Sequence, residues 1–158
     1  MPIAVLGLIL AGCTGEPEAE FDPATTTVEY TFTDASVAPE VQRSFELTAA
    51  DGAATVVVTR PDGDLIEEQV LSDDAIASLV TAYNAGELED VFEADPSAPC
   101  TGASSQRLVL DGGENRAEIS FTYCGDTNAE ARTQLASAVA PLLDPFDIDT
   151  LTEGRYAG

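Results

Sequence analysis

Alternating apolar and polar residues predict six strands in two groups. Four runs come first, over residues 28–33, 41–48, 55–59 and 65–71, and two follow later, over residues 106–110 and 116–123. A period of two is typical of a strand that buries one face. Asp51-Gly52 lies between the second and third runs and is a strong signal for a tight hairpin turn. In the last run the expected buried face consists of Ala117, Ile119, Phe121 and Tyr123.

A helical period replaces this alternation twice. Over residues 73–85 the apolar positions share one face, which consists of Ile76, Leu79, Val80 and Tyr83. Ser72 is the expected N-cap of this helix, and Gly86 is its expected stop. The second helix begins at Thr127-Asn128-Ala129-Glu130, which has the sequence of a capping box, and Pro141 is expected to end or kink it. Its apolar stripe consists of Ala131, Leu135, Val139 and Leu142.

The order of these elements predicts an α+β fold class. We expect an antiparallel four-stranded meander followed by a helix, then a β-hairpin and a second helix packed on the sheet. One domain over residues 28–146 would hold all of these elements, and the acidic residues 147–158 would form a C-terminal tail. The aromatic residues are expected in the core of this domain and not in a surface patch; they include Tyr30, Phe32, Phe45 and Tyr123.

Residues 1–12 predict a signal peptide. The apolar run over residues 3–10 is about half as long as a membrane-spanning helix of ~20 residues. Leu10-Ala11-Gly12-Cys13 follows and resembles the lipobox of bacterial lipoproteins. The resemblance implies that Cys13 becomes the first residue of the mature protein and carries the lipid. Signal peptides normally open with Lys or Arg, and none precedes Cys13. The alternative is a buried strand that happens to end in cysteine.

Residues 13–27 predict an acidic flexible tether between the lipid and the domain, because like charges and prolines keep such a segment extended. A recruitment site for a basic partner is the alternative interpretation of its charge. The expected location is the cell envelope, with the lipid in the outer membrane or in the outer face of the plasma membrane. The body over residues 30–143 also resembles small α+β domains of uncharacterised bacterial lipoproteins, through Val37-Ala38-Pro39 and Leu71-Ser72. That resemblance carries no catalytic residue.

The charge of the chain excludes several functions. Asp and Glu number 29 against six basic residues, and the net charge is −23. Such a chain repels nucleic acid and anionic lipid headgroups, so neither is expected as a direct partner. The chain has no His, and all six basic residues are Arg. A triad hydrolase therefore lacks its base, and a zinc site lacks its ligands.

Cys100 and Cys124 remain once Cys13 is assigned to the lipid. One precedes a strand of the second hairpin and the other ends the opposite strand, so antiparallel pairing would bring them close. In an oxidising compartment such a pair predicts a structural disulfide. The alternative is a redox pair, which normally has the close spacing that tunes a reactive thiol.

Oxygen ligands for Ca²⁺ are the only metal chemistry that the composition favours. The weak candidates are Asp62 and Asp64 in one turn, and Asp144, Asp147 and Asp149 near the end of the chain. Neither group matches an EF-hand loop. Asp62-Gly63-Asp64 is first of all a turn signal, so no metal ligand is assigned.

Two classes of function stay open. The first is a non-catalytic binding or structural module that docks an envelope protein or a glycan. The second is an envelope enzyme or enzyme regulator that uses carboxylates. An enzyme should hold carboxylates with raised pKa values in a concave pocket, whereas a binding module should expose an apolar patch.

Overall fold

The computed structural model describes residues 20–35, 43–60, 63–96 and 102–152, and these form six strands and four helices. The strands are β1 (Thr27–Thr33), β2 (Phe45–Ala50), β3 (Ala53–Val58), β4 (Leu65–Val70), β5 (Ser104–Asp111) and β6 (Arg116–Tyr123). The helices are α1 (Ala75–Asn84), α2 (Glu89–Phe92), α3 (Ala129–Leu143) and α4 (Ile148–Thr152). Within the described ranges, none of the helices has the length and apolar character to cross a membrane.

All six strands belong to one antiparallel sheet with the order β4-β3-β2-β1-β5-β6. The predicted division into a four-stranded meander and a separate hairpin is therefore wrong. β1 is a central strand, and Tyr30 on it lies between Leu47 of β2 and Leu108 of β5. The physical reason is that β1 would otherwise expose one whole row of backbone donors and acceptors at a sheet edge, and β5 satisfies that row over seven residue pairs.

The turn between β2 and β3 is the predicted one. Asp51 and Gly52 have φ values of 51° and 77°, and Ala50 pairs with Ala53 across them. Positive φ at both central positions is the geometry that Asp-Gly favours in a two-residue hairpin. β2 begins at Phe45, and the predicted beginning of that strand at residue 41 lies outside the described residues.

The predicted N-cap of α1 is wrong, whereas its predicted stop is confirmed. Asp74 is the N-cap, without a side-chain cap bond, and Ser72 contributes only its backbone carbonyl, which accepts from the N–H of Ala75 at 3.0 Å. At the other end Gly86 has a φ of 71°. The N–H of Glu87 donates to the carbonyl of Ala82 at 2.9 Å, which completes a Schellman motif.

The predicted capping box of α3 is also wrong. Asn128 is the N-cap, with a φ of 55° and no side-chain cap bond. Its side chain amide donates instead to the carbonyls of Asp95 and Thr122 at 2.9 and 2.8 Å, and its oxygen accepts from the N–H of Asp95 at 3.1 Å. Tertiary hydrogen bonds therefore replace the local cap. α3 does not end at Pro141 but continues to Leu143, and a kink at the proline stays a prediction.

One hydrophobic cluster joins a single face of the sheet to the helices. The predicted stripe of α3 lies in it, and Leu135 and Leu142 have no exposed surface. The aromatic residues expected in the core do belong to the cluster or pack against it. Phe21, from the segment assigned to the tether, is also buried, and its backbone exchanges hydrogen bonds with the side chain of Asn84.

Candidate binding surface

The four described helices pack on one face of the sheet and leave the other face uncovered. Alternate residues of each strand point to this face, and the strand register places them in rows. The two ends of the sheet differ in what these rows carry. One end, formed by β3 and β4, is mainly apolar, and the other, formed by β1, β5 and β6, carries charged side chains.

The apolar end contains the two most exposed aliphatic side chains among the described residues. Ile66 is 64% exposed and Val70 is 82% exposed. Ile66 pairs with Val57, and Val70 pairs with Ala53, which in turn pairs with Ala50. We refer to these residues as the open-face patch: Ala50, Ala53, Val57, Ile66 and Val70.

β4 has the opposite polarity from the one expected of a strand over a core. Its residues on the helix side include Glu67 and Gln69, which are half-buried and joined by a hydrogen bond of 2.7 Å. Inward-pointing polar residues are one way in which proteins protect an edge strand from pairing with other strands. The consequence is that Ile66 and Val70 face solvent, whereas Leu65, the third aliphatic residue of β4, packs against the core.

At the other end of the open face, ion pairs cover the one large apolar residue. Val109 on β5 has no exposed surface, and it lies between Glu29 and Glu118 on the neighbouring strands. Arg107 joins these two carboxylates, with Nε 2.8 Å from Glu118 Oε1 and Nη1 3.7 Å from Glu29 Oε2. Arg116 extends the network to Glu118 and to Asp111, at 3.9 and 3.3 Å. This half of the face is therefore closed by its own side chains, whereas the open-face patch is not.

The ion pairs around Glu118 predict how the stability of the fold depends on pH in the acid range. The hydrogen bond from Arg107 lowers the pKa of Glu118, with the charges of Arg107 and Arg116 acting in the same direction. A lowered pKa stabilises the fold above the ordinary glutamate range, and that contribution is lost as the pH falls through the folded value. We expect Glu118→Gln to unfold with a slightly weaker dependence on pH in that acid range than the wild type. Because Glu118 is exposed, the difference should be small.

Urea denaturation at a series of pH values between neutral and strongly acidic would measure this difference. Glu114→Gln, in the exposed loop between β5 and β6, is the matched control and should follow the wild type. Parallel curves for the wild type and Glu118→Gln would contradict the role given to this pair.

The calcium candidates do not come together in the described residues. Asp62 lies outside them, and Asp64 is exposed just before β4. Asp147 accepts hydrogen bonds from the N–H and the Oγ1 of Thr150, at 3.1 and 2.7 Å, and these bonds lower its pKa. Asp149 faces Arg43 at 3.4 Å. Across the parts of the chain that the structure describes, no group of three or more Asp, Glu, Cys or His side chains could hold a metal ion.

Of the three cysteines, only Cys124 is among the described residues. It follows β6 directly and is disulfide-bonded. Cys13 and Cys100 both lie outside the described residues, so the identity of its partner, and the predicted pairing with Cys100, stay predictions.

The open-face patch is not evident from the sequence pattern alone. A signal was present, because Ile66 and Val70 alternate with Glu67 and Gln69 on β4. The alternation alone does not state which side of the strand faces the helices. An apolar set at alternate positions is normally assigned to the core, and only the observed register with β3 places it on the open side.

Comparison with known families and proteins gives no functional assignment. No family model matches the chain, and the search of curated proteins found no match. The interpretation of function therefore rests on the residues and their arrangement.

Proposed function

We propose that this chain is a lipid-anchored, non-catalytic binding module of the cell envelope that binds a basic protein through the open-face patch. The observation that carries the proposal is the exposure of Ile66 and Val70, at 64% and 82%, on a sheet face that none of the four described helices covers. Exposed apolar patches of this kind are typical of interaction surfaces in soluble domains. The anchor is supported by the lipobox resemblance of Leu10-Ala11-Gly12-Cys13.

Charge complementarity supports a basic protein as the occupant of the patch. Glu46 pairs with Val57 on the open face, and Glu68 lies between Ile66 and Val70. A second copy of this chain would bring the same carboxylates and a net charge of −23 to the interface. An anionic lipid surface would meet the same repulsion. A protein with apolar side chains flanked by Lys or Arg fits both properties of the patch.

The position of the first described residues supports a short anchor. Asn84 holds the backbone of Phe21, and Asn115 donates to the carbonyl of Glu20 at 3.1 Å. Seven residue steps separate Cys13 from Glu20, which is at most about 25 Å of extended chain. A lipid on Cys13 would therefore keep the domain close to the membrane surface, where envelope proteins are its nearest partners.

The two carboxylates with shifted pKa values support the proposal of a non-catalytic module. They do not support the alternative, an envelope enzyme that uses carboxylates. A general acid needs a raised pKa, whereas Glu118 and Asp147 have lowered pKa values. Arg107 and Thr150 are the structural causes of these two shifts. Both shifts therefore have a local cause in the fold, and neither has the direction that a general acid needs.

The anchor is tested by the intact mass of the protein extracted from the membranes of a bacterial host that expresses the full sequence. We expect a chain that begins at Cys13 and carries acyl groups, and that gains two hydrogens on reduction. A Cys13→Ser variant should lose the acyl groups and leave the membrane fraction. A full-length product without acyl groups would contradict the proposed anchor, and it would remove the argument for an envelope location.

The exposure of the open-face patch predicts that its side chains contribute little to the free energy of unfolding. Replacing Ile66 and Val70 together by Ser should change the free energy of unfolding by less than about 1 kcal/mol, because exposed side chains contribute little to stability. Replacing Leu47, which is 1% exposed on the core side of the sheet, by Ser should be strongly destabilising in the same urea titration. A large loss of stability in the Ile66 and Val70 variant would mean that these side chains are covered within the monomer.

A further inference from the structure

A groove runs along the helical layer, on the side of the domain away from the open-face patch. It has a volume of about 690 Å³ and lies between α1, α2 and α3. Its lining is mainly apolar, and none of the described residues that line it is basic. The groove has a floor that comes from α1 and α3 and a rim that carries carboxylates.

The floor is formed by small residues four positions apart. On α3 these are Ala129, Thr133, Ser137 and Pro141, and on α1 they are Ser78 and Ala82. The hydroxyl groups on α3 point back to their own helix: Thr133 Oγ1 donates to the carbonyl of Ala129 at 2.9 Å, and Ser137 Oγ donates to that of Thr133 at 3.0 Å. Because these donors are satisfied locally, the floor offers mainly methyl and methylene surface to a ligand.

The rim is acidic. Glu87, Asp90 and Glu130 line the groove, and all three are exposed. Asp90 is held by Gln134, whose Nε2 lies 3.3 Å from Asp90 Oδ2 and whose Oε1 accepts from the N–H of Val91 at 3.2 Å. This arrangement fixes α2 against α3 and so fixes the wall of the groove.

We propose that this groove binds an amphipathic helix with an apolar ridge of small residues and with Lys or Arg on its flanks. The α3 floor spans twelve residue steps from Ala129 to Pro141, which is about 18 Å and about three turns of a bound helix. Residues four apart form the rows that a second helix packs against, and helix-in-groove binding is a common mode of recognition. Basic flanking residues would meet Glu87 and Glu130.

The acidic rim favours this occupant over the N-terminal residues of the chain and over a second copy. The residues before Glu20 include Glu16 and Glu18 and no basic residue, so they would be repelled by the same rim. A second copy of the chain, at a net charge of −23, would also be repelled. The inference goes beyond the proposed function, because the groove and the open-face patch lie on opposite layers and could hold two partners at once.

The test uses the folded domain and a labelled 16-residue helical peptide with an Ala and Leu ridge and Lys flanks. Fluorescence anisotropy should show saturable binding that is lost in the same peptide with Glu in place of Lys. Filling the floor with Ser137→Trp should weaken binding at least tenfold, whereas Ala136→Trp, exposed on α3 and outside the groove, should leave it unchanged. Glu87→Gln with Glu130→Gln should also weaken binding, and Glu93→Gln with Glu114→Gln, which lie outside the groove, should not.

The proposal would be overturned by equal affinity of the wild type and Ser137→Trp, because charge alone would then hold the peptide on the surface. Displacement of the peptide by an equal concentration of spermine would also overturn it, since a small organic cation needs no apolar floor. Neither result affects the proposal for the open-face patch. The variant with Ser at Ile66 and Val70 tests that patch separately from the groove.

Discussion

Replacing Cys100 and Cys124 together by Ser is expected to lower the free energy of unfolding by about 3.5 kcal/mol. In the chain-entropy model this is the effect of removing a bond that closes a loop of about 25 residues. The loop contains β5 and β6, which are two of the six strands, and the bond restricts this segment in the unfolded chain. Cys124 is disulfide-bonded in the structure, and Cys100 is its predicted partner.

Urea denaturation of the oxidised wild type, the reduced wild type and the double variant would measure this loss. The reduced protein and the double variant should agree with each other. Cys13→Ser is the matched control, because the assignment of Cys13 to the lipid predicts that its replacement leaves the stability unchanged. A loss of stability in Cys13→Ser equal to that on reduction would contradict the pairing and identify Cys13 as the partner of Cys124.

Leu135→Ala is expected to lower the free energy of unfolding by about 2 to 5 kcal/mol. Leu135 is central on the buried face of α3 and has no exposed surface. Removing a fully buried leucine side chain loses its transfer free energy and leaves a cavity that the surrounding residues fill only in part. The change should lower the urea midpoint and leave the slope of the transition unchanged.

Ser137→Ala, two residues further along α3 and exposed, is the control for this experiment. Its free energy of unfolding should stay within about 0.5 kcal/mol of the wild type, because surface changes away from special features have small effects. A loss of less than about 1 kcal/mol in Leu135→Ala would show that α3 is not held on the sheet as described.

The local elements of this fold could be predicted from the sequence, but the neighbours of each strand could not. Alternation indicates which residues of β1 are buried, and Val28 and Tyr30 are indeed buried at 0% and 4% exposure. It does not state that β5 is the second neighbour of β1, because that contact depends on residues about 80 positions apart. Strand order depends on how all six strands pack in one layer. Alternation along the chain does not contain that information, and the predicted separation of the meander from the hairpin was therefore wrong.

The predicted N-caps of α1 and α3 were wrong for a related reason. Ser72 and Thr127 have the right side chains for caps, but Asp74 and Asn128 are the N-cap residues. The Asn128 side chain binds Asp95 and Thr122 and makes no cap bond. The same polar groups that cap a helix can also join distant segments, and the sequence does not distinguish the two uses. Gly86 was predictable because only its own backbone conformation matters, with a φ of 71°.

The candidate surfaces depend on facts that are not local in the sequence. Ile66 and Val70 form a patch because β4 is an edge strand and because Glu67 and Gln69 turn toward the helices. The acidic residues considered for calcium carry other interactions: Asp147 holds Thr150, and Asp149 faces Arg43. In a chain with 29 acidic residues, spacing along the sequence gives little information about ligand sets.

We propose that the open-face patch binds a protein at the membrane. The most direct test places a photo-crosslinking amino acid at Ile66, at Val70 or at Ser120, which is exposed on the same face of the sheet but at its other end. After irradiation in membranes of the native host, the first two positions should give the same discrete protein adduct, and Ser120 should not. The adduct should disappear in a Val57→Asp background. Equal adducts from all three positions, or none from Ile66 and Val70, would contradict the account.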